Sequence, residues 1–292
     1  LELIKKCLPL LQDKTLTTMQ EITQKLVIRD AGRIDGISGL LLLGEPGTGK
    51  TRFAKILAAE WADHFIKYQC HEGTGKEELL YDIDVAGVVQ TLNPHRKEEV
   101  SASFLNKGLL PLACELSQKG RVVLLLDEIE KGRQALDNFL LDFLQSGEVY
   151  DPNLGSFKAN LANIIFIATS NEQRMLSEPL YRRLRRLRLN FPTEQELFLI
   201  LQSMVETAEF EAVGTERIKW LIALAFWYRK QDVVKKITPP EIARLISDLA
   251  FLADHKDAKL FSLFSWFSPH QEDWAVLLKY NQGGEKYLKG KL

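Results

Sequence analysis

The chain has 292 residues, with 38 Lys and Arg against 39 Asp and Glu, a formal net charge of −1, and 46% hydrophobic and 26% charged residues. That balance excludes a disordered chain, which would be poorer in apolar residues and further from neutrality. It also argues against a protein that coats nucleic acid by bulk charge, because such domains carry a clear basic excess. Three widely spaced cysteines, Cys7, Cys70 and Cys114, form no CxxC pair. They fit neither a disulfide framework nor a zinc knuckle, so a reduced, cytoplasmic setting is the expectation. No signal-peptide pattern opens the sequence. The longest apolar runs, Leu40–Leu43 and Val122–Leu126, fall short of the roughly 20 residues that a membrane span needs.

Residues 1–36 read as a helix and connector ending in the glycine-containing stretch Ala31–Gly36. A buried strand at Gly39–Leu43 runs into a glycine-rich turn. Beyond it, the spacing of Phe53, Ile56, Leu57 and Trp61 predicts a helix from Thr51 to Phe65. Short strands recur at Phe65–Cys70, Val122–Leu126 and Asn163–Ala168, separated by helical stretches. Strands apolar on both faces that alternate with helices predict an α/β core, a parallel sheet sandwiched by helices, over residues 37–192. From Phe191 the character changes. Thr193-Glu-Gln-Glu196 and Thr238-Pro-Pro-Glu241 both have the capping-box pattern that opens a helix. With no strand signal between them, residues 193–255 are expected to form a small all-helical domain. The remainder, 256–292, is an aromatic-rich extension whose Phe261, Phe264, Phe267 and Trp274 are expected to pack against that domain; Trp61, Trp220 and Trp227, at helical spacing, are expected in cores.

Gly44-Glu45-Pro46-Gly47-Thr48-Gly49-Lys50-Thr51 fits the phosphate-loop pattern G-x-x-x-x-G-K-[ST], between a buried strand and an amphipathic helix. Glycines allow the backbone to wrap closely around phosphate oxygens, so that consecutive N–H groups and the helix N-terminus point inward. Lys50 would reach the β- and γ-phosphates and the Thr51 hydroxyl would hold Mg2+. The apolar run Val122–Leu126 ends in Asp127-Glu128, at the carboxyl edge where α/β sheets gather their ligands. Asp127 is the candidate metal ligand, acting through the water shell that Mg2+ usually keeps. Glu128 is the candidate general base on the attacking water. Asn171, at the end of the strand Asn163–Ala168, is placed to position that water. Arg182, Arg183, Arg185, Arg186 and Arg188 then crowd five arginines into seven positions. As a plain surface helix this run would repel itself and would need anionic partners, of which nucleotide phosphates are one source.

With these residues the chain resembles an AAA+ ATPase, and within that class the MoxR-like branch, over about residues 15–255. The resemblance rests on the GEPGTGKT loop, the LLLDE and IATSN strand ends, the EPLYRRL segment and the terminal helical lid. It implies that Lys50 and Thr51 are the Walker A residues, Asp127 and Glu128 the Walker B pair, and Asn171 sensor 1. It places the arginine finger at Arg183, with Arg182 one residue away as its rival, and sensor 2 at Arg244. ATP and Mg2+ are the implied cofactors. Two further segments resemble MoxR-group inserts. One interrupts the second helix from Asp82 to Ser103, after which the helix resumes over Ser103–Ala113; the other is a hairpin at Gly147–Phe157, with Asn153 and Gly155 at its turn. In ringed relatives both inserts face the pore and engage the client.

Three functional readings stay open. One is a hexameric ring that remodels or activates a protein complex, often with a von Willebrand A-type partner. Another is a DNA-directed motor or assembly factor using ATP or GTP, which the near-neutral charge does not favour. The last is a slow, nucleotide-gated scaffold.

Overall fold

Ser38–Leu43, six consecutive buried residues, form strand β1. Val122–Asp127 (β5) and Ile164–Ser170 (β8) are buried along their whole length in the same way. A strand buried on both faces needs cover on both, and alternate residues divide accordingly. Leu41, Leu124, Leu126, Phe166 and Ala168 enter one core. Leu40, Leu42, Leu125, Ile165 and Ile167 enter the other, against Phe53, Ala54 and Leu57 of helix α2 (Lys50–Trp61). With β2 (His64–Gln69) and β9 (Arg185–Arg188), these strands make a five-stranded sheet in the order β2-β5-β8-β1-β9. All its pairings are parallel. The expected α/β core with helices on both faces is therefore the observed one.

The computed structural model describes residues 18–83, 105–252, 255–268, 270–280 and 284–292. Its first helix, α1, is Thr18–Asp30. After β2 come α3 (Lys76–Leu80), β3 (Tyr81–Ile83), β4 (Leu105–Lys107) and α4 (Leu109–Ser117). After β5 come α5 (Gln134–Ser146), the strands β6 (Glu148–Asp151) and β7 (Gly155–Lys158), and, beyond β8, α6 (Glu178–Arg183). The chain divides into two compact units. One takes the residues up to Glu45 and Gly49–Leu189; the other takes Asn190–Leu292 together with Pro46–Thr48.

Several local expectations need correction. The helix after the phosphate loop stops at Trp61, because β2 already begins at His64. The segment Ser103–Ala113 is not one helix: Leu105–Lys107 pairs antiparallel with Tyr81–Ile83, and the helix starts only after Gly108. A Cβ at Gly108 would lie 2.6 Å from the backbone of Leu80 and Tyr81, so the two segments approach more closely than any other residue allows. The arginine run avoids the self-repulsion of a single helix. It breaks after Arg183, and Arg185–Arg188 joins the sheet edge beside β1. There the period of two buries Leu187 and leaves Arg186 and Arg188 exposed, which relieves the crowding a helix would have imposed. The hairpin β6–β7 forms, with Gly155 at φ +88° and the Asp151 carboxylate accepting from the N–H groups of Asn153 and Leu154. The stretch 84–104, which holds most of the first insert, lies outside the described residues.

The second unit is helical throughout its described residues: α7 (Glu194–Met204), α8 (Thr207–Val213), α9 (Thr215–Arg229), α10 (Pro239–Phe251), α11 (Lys256–Phe267), α12 (Gln271–Leu278) and α13 (Gly284–Lys291). Both capping boxes form: the Thr193 and Thr238 N–H groups donate to Glu196 and Glu241 at 2.8 Å. Ile242, Leu245, Ile246 and Leu249 of α10 meet Leu260, Leu263, Phe267, Leu277 and Leu288 from the last three helices in one core. Phe264 stacks on Trp274 at 5.2 Å, so most of the aromatic extension packs as expected, whereas Phe261 is exposed. Trp220 and Trp227 lie half-buried against this core, and Trp61 against the sheet of the first unit.

Candidate nucleotide site

Parallel register brings the functional side chains to one edge. Gln69 lies opposite Asp127, Leu126 opposite Ala168, and Leu43 opposite Ser170. The carboxyl ends of β2, β5, β8 and β1 thus stop together, and Gly44, Asp127-Glu128 and Asn171 follow directly. Gly47 and Gly49 take left-handed φ values of +80° and +89°, which glycine adopts without a steric penalty. The loop closes through them into the N-terminus of α2, where unpaired N–H groups favour an anion.

Lys50 is buried, and its ammonium donates to Gly44 O (2.6 Å), Glu45 O (2.9 Å) and Asn171 Oδ1 (2.8 Å). Burial pulls its pKa below the ordinary lysine value, opposed by the charges of Glu130, Asp127, Glu128 and Glu172. Asp127 is 6% exposed. Thr51 Oγ1 donates to its two oxygens at 3.1 and 3.2 Å, Thr169 Oγ1 donates to Oδ1 at 2.5 Å, and Lys67 Nζ sits 2.6 Å from Oδ2. Burial pushes the Asp127 carboxyl up, but the bonds from Lys67, Thr169 and Thr51 together with the Lys67 charge outweigh it and hold the pKa below the usual carboxylate range.

Glu128 follows β5 in the left-handed region, at φ 56° and ψ 51°, a strain of about 1–3 kcal/mol for a residue with a side chain. Its N–H is fixed by Thr169 Oγ1 at 2.9 Å. Its carboxylate accepts from Gln69 Nε2 (2.8 Å), Lys131 Nζ (2.5 Å) and Asn171 Nδ2 (3.2 Å). Asn171 therefore bridges Lys50 and Glu128 through the two ends of one amide. Its own N–H donates to the buried Glu130 at 2.8 Å. Thr51 and Asp127 offer hard oxygen donors, the kind a small divalent cation takes, and the Lys67 ammonium on the same carboxylate marks it as a place for positive charge. These residues fit a magnesium ion.

Sequence reasoning missed four contributors: Lys67, Gln69, Glu130 and Thr169. Thr169 was the most accessible, a hydroxyl two residues before Asn171. Lys67 and Gln69 share the solvent-facing period of β2, but nothing in the sequence says that β2 neighbours β5.

The arginines are all engaged within the first unit. The Arg183 guanidinium donates to the backbone oxygens of Asp35 (2.7 Å), Ile37 (3.1 Å) and Leu144 (3.1 Å). Gly36 makes room for it: its φ is +87°, and a Cβ there would lie 2.3 Å from Leu144 O and 2.5 Å from the guanidinium. Arg185 pairs with Asp30 and Arg188 with Glu172, each at 2.6 Å, and Arg186 lies 4.7 Å from the Tyr181 ring. Arg182 is largely exposed and pairs with Glu178 one turn back. In the helical unit, Arg244 is exposed, with its guanidinium 5.4 Å from the Trp266 ring.

A parallel sheet whose carboxyl edge carries a phosphate loop, a buried aspartate and a restrained glutamate defines a nucleoside triphosphatase of the P-loop class. Residues 39–184, half of the chain, match the family described as AAA domain (dynein-related subfamily). The chain belongs to this family of ATP-hydrolysing AAA enzymes. A stretch of 203 residues, 65% of the chain, is 29% identical to Lon protease from Malacoplasma penetrans and covers 24% of that protein. Another, of 228 residues and 75% of the chain, is 28% identical to the Holliday junction branch migration complex subunit RuvB from Neorickettsia sennetsu and covers 60% of it. A third, of 200 residues and 68% of the chain, is 24% identical to the probable spastin homolog spas-1 from Caenorhabditis briggsae and covers 33% of it. The chain thus spans between a quarter and three fifths of these relatives' lengths. Among the described residues, no helix is long and apolar enough to cross a membrane.

Proposed function

We propose that the chain is a subunit of a cytoplasmic, hexameric, Mg2+-dependent AAA+ ring of the MoxR-like type, which uses ATP to remodel or activate a protein complex. The observation that supports this most strongly is the interlocked set Lys50, Thr51, Asp127, Glu128 and Asn171 on one sheet edge. In the proposed mechanism, N–H groups of the loop Gly44–Gly49 and the start of α2 cradle the phosphates. Lys50 leaves its carbonyl partners for the β- and γ-phosphates. Thr51 and Asp127 would hold Mg2+, which would supply positive charge to the phosphate oxygens. Glu128 takes a proton from the attacking water as the water oxygen bonds to the γ-phosphorus and the bond to the β–γ bridging oxygen breaks, releasing ADP and phosphate. Asn171 holds that water in line, while Gln69 and Lys131 keep the Glu128 carboxylate oriented.

Of the two candidate fingers we favour Arg182. Arg183 is committed to three carbonyls of its own chain, whereas Arg182 projects outward and has a single exposed partner to exchange. An arginine supplied in trans makes hydrolysis conditional on assembly and is worth about 10³–10⁵ in rate. We assign the lid to the helical unit beginning at residue 193, with 256–292 as its extension, and nucleotide sensing there to Arg244. The stretch 84–104 and the β6–β7 hairpin, which carries the exposed Tyr150, are the proposed pore inserts. A client protein with a von Willebrand A-type partner fits this reading.

The second reading is a DNA-directed motor or assembly factor, favoured by the likeness to RuvB. The arginine run argues against it, since Arg182, Arg183, Arg185 and Arg188 already hold acids or carbonyls of their own chain. Mixing two inactive variants tests assembly. Arg182→Ala lacks the finger but keeps its base, and Glu128→Gln lacks the base but keeps its finger. The mixture should hydrolyse ATP faster than either alone; no gain would contradict a trans finger at Arg182. Stimulation of the wild-type ATPase by duplex DNA that declines steeply with salt would replace the protein-client reading with the DNA one.

A further inference from the structure

Arg244, assigned above to nucleotide sensing, lies against a side chain of the C-terminal extension. Arg244 and Asp248 are four residues apart on α10, and Ser262 and Trp266 are four apart on α11, so each pair shares one helix face. Across the two helices, Asp248 Oδ2 accepts from Trp266 Nε1 at 2.7 Å and from Ser262 Oγ at 2.6 Å. The first bond fixes the indole, which is half-buried against the helical core on the same helix as the fully buried Leu263 and Phe267. The Arg244 guanidinium lies over this indole, 5.4 Å from the ring centroid, within the range of a cation–π attraction.

An arginine and an aspartate at this spacing are ordinary ion-pair partners, and an Arg244 drawn down onto Asp248 would spend its donors there. Trp266 counters that in two ways. With Ser262 it occupies one carboxylate oxygen, and it offers the guanidinium a ring face, an attraction that uses the charge but none of the five N–H donors. The long side chain is restricted while its donors stay available for a phosphate, and a preorganised group loses less entropy when it makes its contact. We propose that Trp266 is a positioning residue for Arg244, through which the extension sets the affinity of the chain for a nucleoside triphosphate. This rests on the reading of Arg244 as the nucleotide-sensing arginine.

The test measures the affinity of the full chain for a fluorescent, non-hydrolysable ATP analogue in Mg2+, with no turnover involved. Arg244→Ala should weaken binding about tenfold, the loss expected for a charge-assisted bond to phosphate. Trp266→Leu should weaken it about threefold to fivefold, the worth of the ring contact. Trp266→Phe, a milder variant that keeps a ring face but not the N–H that fixes it, should weaken it about twofold. In the Arg244→Ala background neither replacement should weaken binding further, whereas a tryptophan that only packs the two helices would cost the same in both backgrounds. Unchanged affinity in Trp266→Leu and Trp266→Phe, or equal losses with and without Arg244, would overturn the positioning role and leave Arg244 as the sensing residue. Undiminished affinity in Arg244→Ala would overturn both.

Discussion

Arg174 and Asp137 make a pair whose two halves differ in burial, and truncating each should have different consequences. Asp137, on α5, is 0% exposed and accepts from Arg174 Nη2 at 2.8 Å, Arg174 Nη1 at 3.0 Å and the Ser177 N–H at 2.6 Å. Arg174 is 26% exposed and also donates to Glu130 O and Met175 O. Its pKa is raised, first by its hydrogen bond to Asp137, against the opposing effect of burial. Stranding one member of a buried ion pair costs about 3–5 kcal/mol. Arg174→Ala leaves a carboxylate fully buried with one N–H partner and should fall at the upper end, about 4 kcal/mol. Asp137→Ala leaves a guanidinium that keeps two carbonyls and reaches water, so about 2 kcal/mol is expected. Removing both members should cost about 2 kcal/mol less than the sum, because the double variant strands no charge. Hydrogen exchange of the β1, β5 and β8 amides reads the stability of this unit separately from the helical one. A greater loss in Asp137→Ala than in Arg174→Ala, or strict additivity, would refute the reasoning. The same bonds fix residues 171–177, which connect Asn171 to the arginine-bearing α6.

Two other expectations follow from burial and pairing. Burial pushes the thiols of Cys70 and Cys114 up to about 12, so thiolate is scarce at pH 8 and iodoacetamide should label neither in the native chain; peptide mass spectrometry that finds prompt labelling of either would contradict this. Burial raises the Asp30 carboxyl, but the hydrogen bonds from Arg185 and Arg29 outweigh it and hold the pKa below the ordinary 3.8. A depressed carboxyl stabilises the folded state above its unfolded pKa and loses that contribution as the pH falls through the folded one. The stability difference between wild type and Asp30→Asn, about 1 kcal/mol at pH 6 given the partly exposed arginines, should therefore shrink towards pH 3; a difference that grows on acidification would contradict the pairing.

The candidate site's grouping on one sheet edge was legible because its parts are local in sequence. The runs Leu40–Leu43, Val122–Leu126 and Ile164–Ala168 are apolar at every position and too short for a typical buried helix, which fits a doubly covered strand. The loop, the acid pair and Asn171 each follow such a run directly, so parallel order brings them together without further information. What stayed hidden depended on neighbours. Lys67 and Gln69 act on Asp127 and Glu128 only because β2 pairs with β5 in that register. The arginine run has a helical first half and a strand for its second, and the alternation of Arg186, Leu187, Arg188 and Leu189 carried that signal more faintly than the charge density. Whether Arg182 or Arg183 projects outward turned on Gly36, whose conformation opens three carbonyls to Arg183. The resemblance to an interrupted second helix implies helix over Ser103–Ala113, but Leu105–Lys107 pairs with Tyr81–Ile83 instead, where Gly108 lets the backbones meet.

Replacing Glu128 with Gln, which keeps the shape of the side chain and removes its basicity, bears most directly on hydrolysis at this site. After incubation of wild type and Glu128→Gln with radiolabelled ATP and Mg2+, the nucleotide retained on each protein is separated and identified. Wild type should hold ADP and release phosphate continuously, whereas the variant should bind ATP and retain it unhydrolysed, with turnover at least 10²-fold slower, the lower end of what a positioned general base contributes. Normal phosphate release by the variant would show that Glu128 is not the base.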